Sequence, residues 1–591
     1  MSNAEIAHVL EKIARLLEVQ GAIRFKIQSY DRVSRVVADL DRPLAEIFAA
    51  EGHKGLTALP GIGESTAAKI EEMLTKGRCT KYEELQAALP PGIEELLAVP
   101  GMGPKTALLA ATRLKVRSLD DLERAIQAHK LAALPRMGAK LEEKLLKGIA
   151  IVRQGLARKS LGEALPLADA LLDSLRALPG VSRAEAAGSL RRMRETVGDL
   201  DLLVAPRRPA DATAIMRAFV SHPDVTGIIA HGDTKASVRL RQGLDADLRV
   251  IEPAAFGAAL HYFTGSKSHN IRVRELGVKL GLKINEYGVF RGAKRVGGRE
   301  ETEIFRAVRL PFIPPELRED EGEIEAAAKG RLPRLVDARD IRGDLHVHST
   351  WSDGRASIEA MVAAARALGY EYLAFCDHSQ SLKVARGLSV PDLRRKHREI
   401  DALNRDLRGF RVLKGAEVDI LPDGSLDYPD EVLDELDVVV ASVHTRFTLD
   451  EAAQTKRVVA ALRHPRVTFL GHPTGRMLGM RDAHPINLHD VIAAARDHGK
   501  ALELNAQPDR LDLSSGPLRE ARAAGVMIAI GSDAHDTASL SFVPRFGAGA
   551  ARRGWVGPGQ VLNALPLAKL LKRLGNAKPR SARFRAASPG A

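Results

Sequence analysis

Beyond residue 340 the chain repeats one unit seven times, a short apolar run followed by a helical stretch. The runs read IRGDLHVH, YLAFCDH, RVLKGAEVDI, LDVVVASVH, VTFLGHP, KALELNA and VMIAIGSDAH. Such alternation calls for parallel strands covered by helices, because a parallel pair needs a crossover long enough to hold one. A closed barrel and an open sheet both satisfy the pattern. The ends of the runs narrow the chemistry. His346 and His348 close the first, with Asp353 in the loop behind. Asp377 and His378 close the second, Glu417 the third, His444 the fourth, His472 the fifth, and Asp533 and His535 the seventh. The C-terminal ends of neighbouring parallel strands share one rim, so these side chains converge. Buried there without a cation they would be costly, and the donor set suits zinc, manganese or iron.

A chain of 591 residues exceeds what one core can organise and divides into three or four domains. Its net charge of +13 points to a polyanionic partner, nucleic acid first. The two cysteines, Cys79 and Cys376, are far apart, which fits a reducing compartment and no disulfide framework. Neither a signal peptide nor an apolar run of spanning length is evident, so the expected location is cytoplasmic, at the nucleoid.

The first 155 residues read as short helices separated by glycine turns. LPGIGESTAAKI at 59–70 recurs as VPGMGPKTALLA at 99–110, and more weakly as LPRMGAKLEEKL at 134–145. A Gly-x-Gly between two helices permits a tight turn whose N–H groups, with those of the next helix, face a phosphate. This helix-hairpin-helix pattern holds a nucleic-acid backbone without reading sequence. Gly61, Gly63, Gly101, Gly103 and Lys105 are the candidate DNA contacts.

Between about 160 and 320, strands and helices alternate. In AGSLRRMRETVGDLDLLV (187–204) Asp199 and Asp201 stand two apart on a predicted strand, just after Gly198, and so share a face. Two carboxylates on one face repel unless divalent cations hold them, and DADLRV supplies a third, Asp247. The Gly188–Ser189 turn is placed to meet the phosphates of a nucleotide.

Two resemblances build on these motifs. HYFTGSKSHNIRVRELGVKLGLKINEYGVF (261–290) closely resembles the nucleotide-binding stretch of family X (polymerase β-like) DNA polymerases, and the likeness covers about residues 1–320. It implies that Asp199, Asp201 and Asp247 hold two Mg²⁺ ions, with Asp247 helping to activate the primer 3′-hydroxyl. It further implies that Ser189 and Arg192 contact the incoming triphosphate, that Tyr262, Phe263 and Gly265 line the sugar pocket, and that Asn270 and Arg274 face the minor groove of the base pair. Lys69 matches the Schiff-base lysine of the family's 5′-deoxyribose-phosphate lyases. However, Ser65 stands where a second lysine is usual, and Asp31 replaces a basic residue beside Tyr30.

Over roughly 341–570 the ligand-bearing runs resemble the PHP (polymerase and histidinol phosphatase) family. That likeness implies a distorted seven-stranded βα barrel and up to three metals, Mn²⁺ or Zn²⁺. By motif the ligands would be His346, His348, Asp353, His378, Glu417, His444, His472, Asp533 and His535, a complete set.

The expected molecule is therefore multidomain: an α-helical helix-hairpin-helix region, an α+β nucleotidyltransferase core and a distorted (βα)7 PHP barrel. The expected divisions are 1–85 and 86–158 for two helical DNA-binding parts and 159–318 for the polymerase core. A linker at 319–340, the PHP domain at 341–575 and a basic tail at 576–591 complete them. The expected function is gap-filling DNA synthesis in base excision repair with a metal-dependent 3′→5′ exonuclease. Endonuclease action at abasic sites and 3′-end processing are further expectations. Gapped or primer-template DNA and dNTPs are the partners of a monomer that needs no membrane. The competing readings are a repair scaffold with an inert barrel, and a phosphoesterase for small molecules.

Overall fold

The computed structural model describes the chain apart from residues 2, 39, 41–43, 60, 98, 100, 101, 133–137, 139, 140, 144, 147, 150–157, 479, 480 and 577–591. Gly101, most of the third hairpin copy and the tail from 577 lie outside the described residues. The chain folds as two compact units, Met1–Ala157 and Arg158–Ala591. Among the described residues no helix is long and apolar enough to cross a membrane.

The first unit is helical, from Asn3–Val19 through Leu119–Gln127. Ile6, Leu10, Ile13 and Leu17 recur at three- and four-residue spacing on its first helix and pack with Val33, Ile70, Met73, Leu96, Ala110 and Leu122. Helices Glu64–Lys76 and Pro104–Arg113 both start at an extended glycine, Gly63 and Gly103, with no side-chain cap. Their first-turn N–H groups are thus not taken up by a capping side chain.

The second unit opens with the short antiparallel pair β1 (Lys159–Ser160) and β3 (Thr196–Val197). A five-stranded sheet follows, in the order β2 (Val181–Ala186), β4 (Asp199–Pro206), β7 (Asp245–Val250), β6 (Lys235–Leu240) and β5 (Val225–His231). Leu200, Leu202 and Val204 alternate along β4 into the main core, while Leu203 and Ala205 face Phe256, Ala259 and Leu260. Behind the sheet come helices Phe256–Thr264 and Lys267–Lys279 and a small sheet of β8 (Lys283–Asn285), β9 (Gly288–Arg291) and β10 (Lys294–Gly297). The stretch 319–340 carries the helix Glu323–Ala328 and is packed, with Ile324, Ala327, Leu335 and Val336 buried.

The remaining strands settle the choice between sheet and barrel. They are β11 (Gly343–Val347), β12 (Tyr372–Phe375), β13 (Arg411–Asp419), β14 (Val438–Ser442), β15 (Phe469–Leu470), β16 (Ala501–Asn505) and β17 (Ile528–Gly531). They pair in parallel in chain order, and a parallel bridge from Val347 to Ala534 draws the last back to the first. Leu345, Tyr372, Leu413, Val438, Phe469, Ala501 and Ala529, one from each strand, form a single cluster, which only a lumen permits. Leu570 and Leu574 of helix Leu567–Asn576 join that cluster and stop the end of the barrel where the strands begin. Each such Leu or Val contributes about 1.5–3 kcal/mol by leaving water. Four helices on the outside start on a polar cap, Ser357, Ser389, Asp450 and Asn487, each accepting from the N–H three residues on.

Candidate functional site

At the rim where the barrel strands end, the imidazoles and carboxylates meet. The β11–β12 register shifts between Asp344 and Val347, an irregularity of the kind that re-aims a side chain, and His346 lies within it. Three groups of donors converge: His348, Asp353, His378 and His535; His346, His348 and Asp533; and His378, Glu417 and His444. Glu417 is the hub. Its oxygens lie 2.9 Å from His378 Nδ1, 3.2 Å from His444 Nε2 and 3.0 Å from His472 Nε2. The rings of His348 and His535 stack with centroids 4.2 Å apart. Burial would push Glu417 up, yet His444, His378 and His346 hold it well below the usual carboxylate range. His472 (φ 24) and Asp533 (φ 51) sit in left-handed backbone, strain of a kind concentrated at functional sites.

The residues fit a metal cluster. Nε2 of His346, both ring nitrogens of His348 and Nδ1 of His472 are buried with no hydrogen-bond partner. Each such atom costs about 1–3 kcal/mol unless something coordinates it. Imidazole nitrogens mixed with carboxylate oxygens are donors for zinc, manganese or iron.

Sequence reading missed the carboxylates behind the imidazoles. Glu503, fully buried on β16, accepts from His346 Nδ1 at 2.7 Å and from the His472 N–H. Asp419 meets His444 Nδ1 at 2.5 Å. Such partners fix which ring nitrogen is free to ligate. The available signal for Glu503 was an acid inside the one apolar run with no donor at its end. Asp377, by contrast, has a structural setting: it pairs with buried Lys396 at 3.1 Å and accepts from Ser349 and Ser352.

The second constellation lies on the five-stranded sheet. β4 runs parallel to β7 with Asp201 in register with Asp247, so the pair on β4 and the third carboxylate occupy one patch. Burial first, then Asp199 and Asp247, pushes the Asp201 carboxyl up to about 7. Asp199 is raised for the same reasons, burial and then Asp247. Lys235 Nζ stands 2.9 Å from Asp247. This is the electrostatic signature of a site short of positive charge, and divalent cations supply it. Gly188, at φ 62, lies against the patch: a Cβ there would be 2.3 Å from Asp201 Oδ2. Only glycine permits that approach. A Cβ at Gly198 would be 3.0 Å from Arg158 NH1.

Ser189 follows Gly188 in the short helix Gly188–Arg191. Arg192 donates from Nε to Glu319 at 3.0 Å and from NH1 to the Thr264 carbonyl. Gly265 lies beside it, where a Cβ would be 3.1 Å from Arg192 NH1. The Tyr262 and Phe263 rings meet edge to face at 5.1 Å, with the Arg249 guanidinium over Phe263 at 4.3 Å. Asn270 Nδ2 donates to the Tyr262 carbonyl at 2.7 Å, while its Oδ1 is buried with no partner. Arg274 donates to the Asn270 carbonyl at 3.3 Å. In the helical unit, Lys69 Nζ donates to the Ser65 carbonyl at 2.6 Å and the Ser65 hydroxyl at 2.9 Å, 6.0 Å from the centre of the Tyr30 ring. Burial lowers its ammonium pKa. Gly61 (φ 81) turns the first hairpin, where the Ile62 N–H closes on the Leu59 carbonyl at 3.1 Å. Lys105 is exposed just inside the second hairpin's helix.

Comparison with known proteins bears on both constellations. Residues 1–79 match a helix-hairpin-helix domain and 93–150 a SAM-like helix-hairpin-helix tandem. Residues 259–319 match the DNA polymerase beta thumb, and 344–506 the PHP domain. The chain is 38% identical over 571 residues to the DNA polymerase/3′-5′ exonuclease PolX of Bacillus subtilis (strain 168), covering 96% of this chain and 98% of that one. A probable phosphatase of Acetivibrio thermocellus is 33% identical over 205 residues, 32% of this chain and 78% of that protein. One of Thermoanaerobacter sp. (strain X514) is 30% identical over 204 residues, with the same shares.

Proposed function

The chain belongs to the family of the DNA polymerase/3′-5′ exonuclease PolX, and from that premise we propose how its residues divide the work. It is a family X DNA polymerase with a PHP-domain 3′→5′ exonuclease, it acts on DNA with dNTPs, and it depends on divalent metal. The finer assignments are our own. Asp199, Asp201 and Asp247 hold two Mg²⁺ ions at the synthetic site. Metal ions held there would supply activation of the 3′-hydroxyl and neutralisation of phosphoryl oxygens. The chain's part is positioning. Gly188 lets the backbone reach the aspartates, Ser189 and Arg192 receive the triphosphate, and the Tyr262–Phe263 pair with Gly265 shapes the sugar pocket. Asn270 and Arg274 face the minor groove. At the barrel rim the nine ligands hold up to three Mn²⁺ or Zn²⁺ ions, and Glu503 and Asp419 fix the imidazoles that ligate.

The biological task is short-gap filling in base excision repair, by a monomer at the nucleoid, with abasic-site incision and 3′-end trimming served by the barrel. The division of the chain at 85, 158, 318, 340 and 575 follows this assignment. Residues 61–63 and 101–105 hold the DNA backbone. Lyase action would fall to Lys69, beside which Ser65 offers a hydroxyl where a phosphate-holding lysine is usual.

The observation that carries the assignment is the separation of donor types. Carboxylates alone gather across β4 and β7, and imidazoles with carboxylates gather at the barrel rim. The experiment is primer extension and primer degradation on gapped DNA, with Mg²⁺ and Mn²⁺ compared. Asp199→Ala or Asp247→Ala should abolish extension and spare degradation; His346→Ala or Asp533→Ala should do the reverse and lower bound metal. Normal extension by either aspartate variant would remove the triad from the synthetic site.

A further inference from the structure

The loop after the Gly188–Arg191 helix, residues 192–195, is gripped by the barrel. Arg553, which ends helix Ala548–Arg553, donates from NH1 to the Arg192 main-chain carbonyl at 2.9 Å and to Glu319 Oε1 at 3.0 Å. The same Glu319 oxygen accepts from Arg192 Nε at 3.0 Å. These three side chains are nearly dry, with exposures of 13% for Arg192, 8% for Arg553 and 11% for Glu319. Two further contacts pin the loop. Barrel residue Arg476 pairs with Glu195 at 2.8 Å. Met193, in left-handed backbone (φ 54), is seated on Gly549, where a Cβ would stand 2.3 Å from its Cε.

The arrangement has two consequences. The Arg192 guanidinium is fixed between the Glu319 carboxylate and the Thr264 carbonyl, beside Gly265, so its remaining N–H groups have one set direction. The carboxylate of Glu319 is outnumbered by cations, because Arg192 and Arg553 share one of its oxygens and half-exposed Arg194 approaches the same oxygen at 3.5 Å. An arriving polyanion completes that count without first displacing water from a mobile side chain.

We propose that Arg553 is a positioning residue of the polymerase reaction: through Glu319 and the Arg192 carbonyl, the barrel holds the guanidinium that receives the incoming triphosphate. The proposal rests on the assignment of Arg192 to that triphosphate. Arg553 itself touches no substrate. The exonuclease domain would then have a second task, as part of the framework of the nucleotide pocket.

The test uses the full chain with Arg553→Ala, Arg553→Lys, Gly549→Ala and Arg192→Ala. For each, the dNTP KM and kcat on a one-nucleotide gap, the gapped-DNA Kd, the 3′→5′ exonuclease rate and the melting temperature are measured. Losing roughly one charge-assisted hydrogen bond to a fixed guanidinium should raise the dNTP KM of Arg553→Ala about tenfold. Its kcat, DNA affinity and exonuclease should stay near parental. Arg553→Lys restores the charge beside Glu319 and should recover most of the loss, whereas Gly549→Ala, by displacing Met193, should resemble Arg553→Ala. In Arg192→Ala the Arg553 change should add little. An unchanged KM in Arg553→Ala alongside a raised KM in Arg192→Ala would overturn the proposal. So would a parallel fall of both activities with the melting temperature, which would make Arg553 a packing contact only. A parental KM in Arg192→Ala would overturn the triphosphate assignment itself, and the proposal with it.

Discussion

Gly188→Ala is the sharpest probe of the synthetic site. The new methyl would start 2.3 Å from Asp201 Oδ2, where real Cβ atoms essentially never come within 3.0 Å. The carboxylate or the turn must therefore give way by about 0.7 Å, the difference between those distances. Alanine must also adopt φ near 62, which costs roughly 1–2 kcal/mol. Against a typical folding stability of about 5–15 kcal/mol, that leaves the chain folded. The catalytic effect is larger than the stability effect, because misplacing a reacting or metal-holding group by about 1 Å costs on the order of 10²-fold in rate. Single-turnover incorporation into a one-nucleotide gap should thus fall about a hundredfold. Degradation of a 3′ end by the same preparation should be unchanged, since the barrel rim shares none of these atoms. Incorporation within threefold of the parent, by a folded variant, would refute the placement of Gly188 against a working Asp201.

Glu503→Gln should weaken metal binding at the barrel rim about 10- to 100-fold, because His346 loses its carboxylate partner. Titration of the metal-stripped chain with Mn²⁺ measures it, and an unchanged isotherm would sink the idea that Glu503 fixes the ring. Lys105→Ala, alone or with a bulky residue at Gly103, should weaken gapped-DNA binding equally for all sequences and flatten the salt dependence by about one unit of slope per lost phosphate contact. A folded variant with unchanged affinity and slope would make that hairpin purely structural. Lys69→Ala should abolish borohydride trapping on a 5′-deoxyribose-phosphate end; trapping that survives places the amine elsewhere.

Much of this was legible because it is written in local pattern. The apolar runs from 341 onward announced parallel strands, and their terminal His, Asp and Glu had to share a rim once the strands lay side by side. The Asp199–Asp201 spacing announced a common face. What escaped was whatever depends on contact across sequence distance. Glu503 and His346 are 157 residues apart. An arginine in AARRG gives no hint that Arg553 will reach Arg192, 361 residues away. The charged, apolar-poor composition before 340 suggested a linker with a short helix, and the helix is there, but composition does not reveal Glu323 buried against His269 at 2.6 Å. Isolated charges look solvated in a sequence, and only their three-dimensional partners reveal that they are dry.

The grip of Arg553 on the loop at Arg192 also bears on how the molecule is made. At about 5–20 residues per second, a ribosome that has added Arg192 needs on the order of 20 to 70 s more to reach Arg553, 361 residues later. The helix Leu567–Asn576 that stops the barrel comes later still. The loop at 192–195 therefore gains its full set of barrel contacts only once Arg553 has emerged. A chain broken off by premature termination before Arg553 would lack the helix Leu567–Asn576 that stops the barrel and the Arg553 contact to the Arg192 loop together.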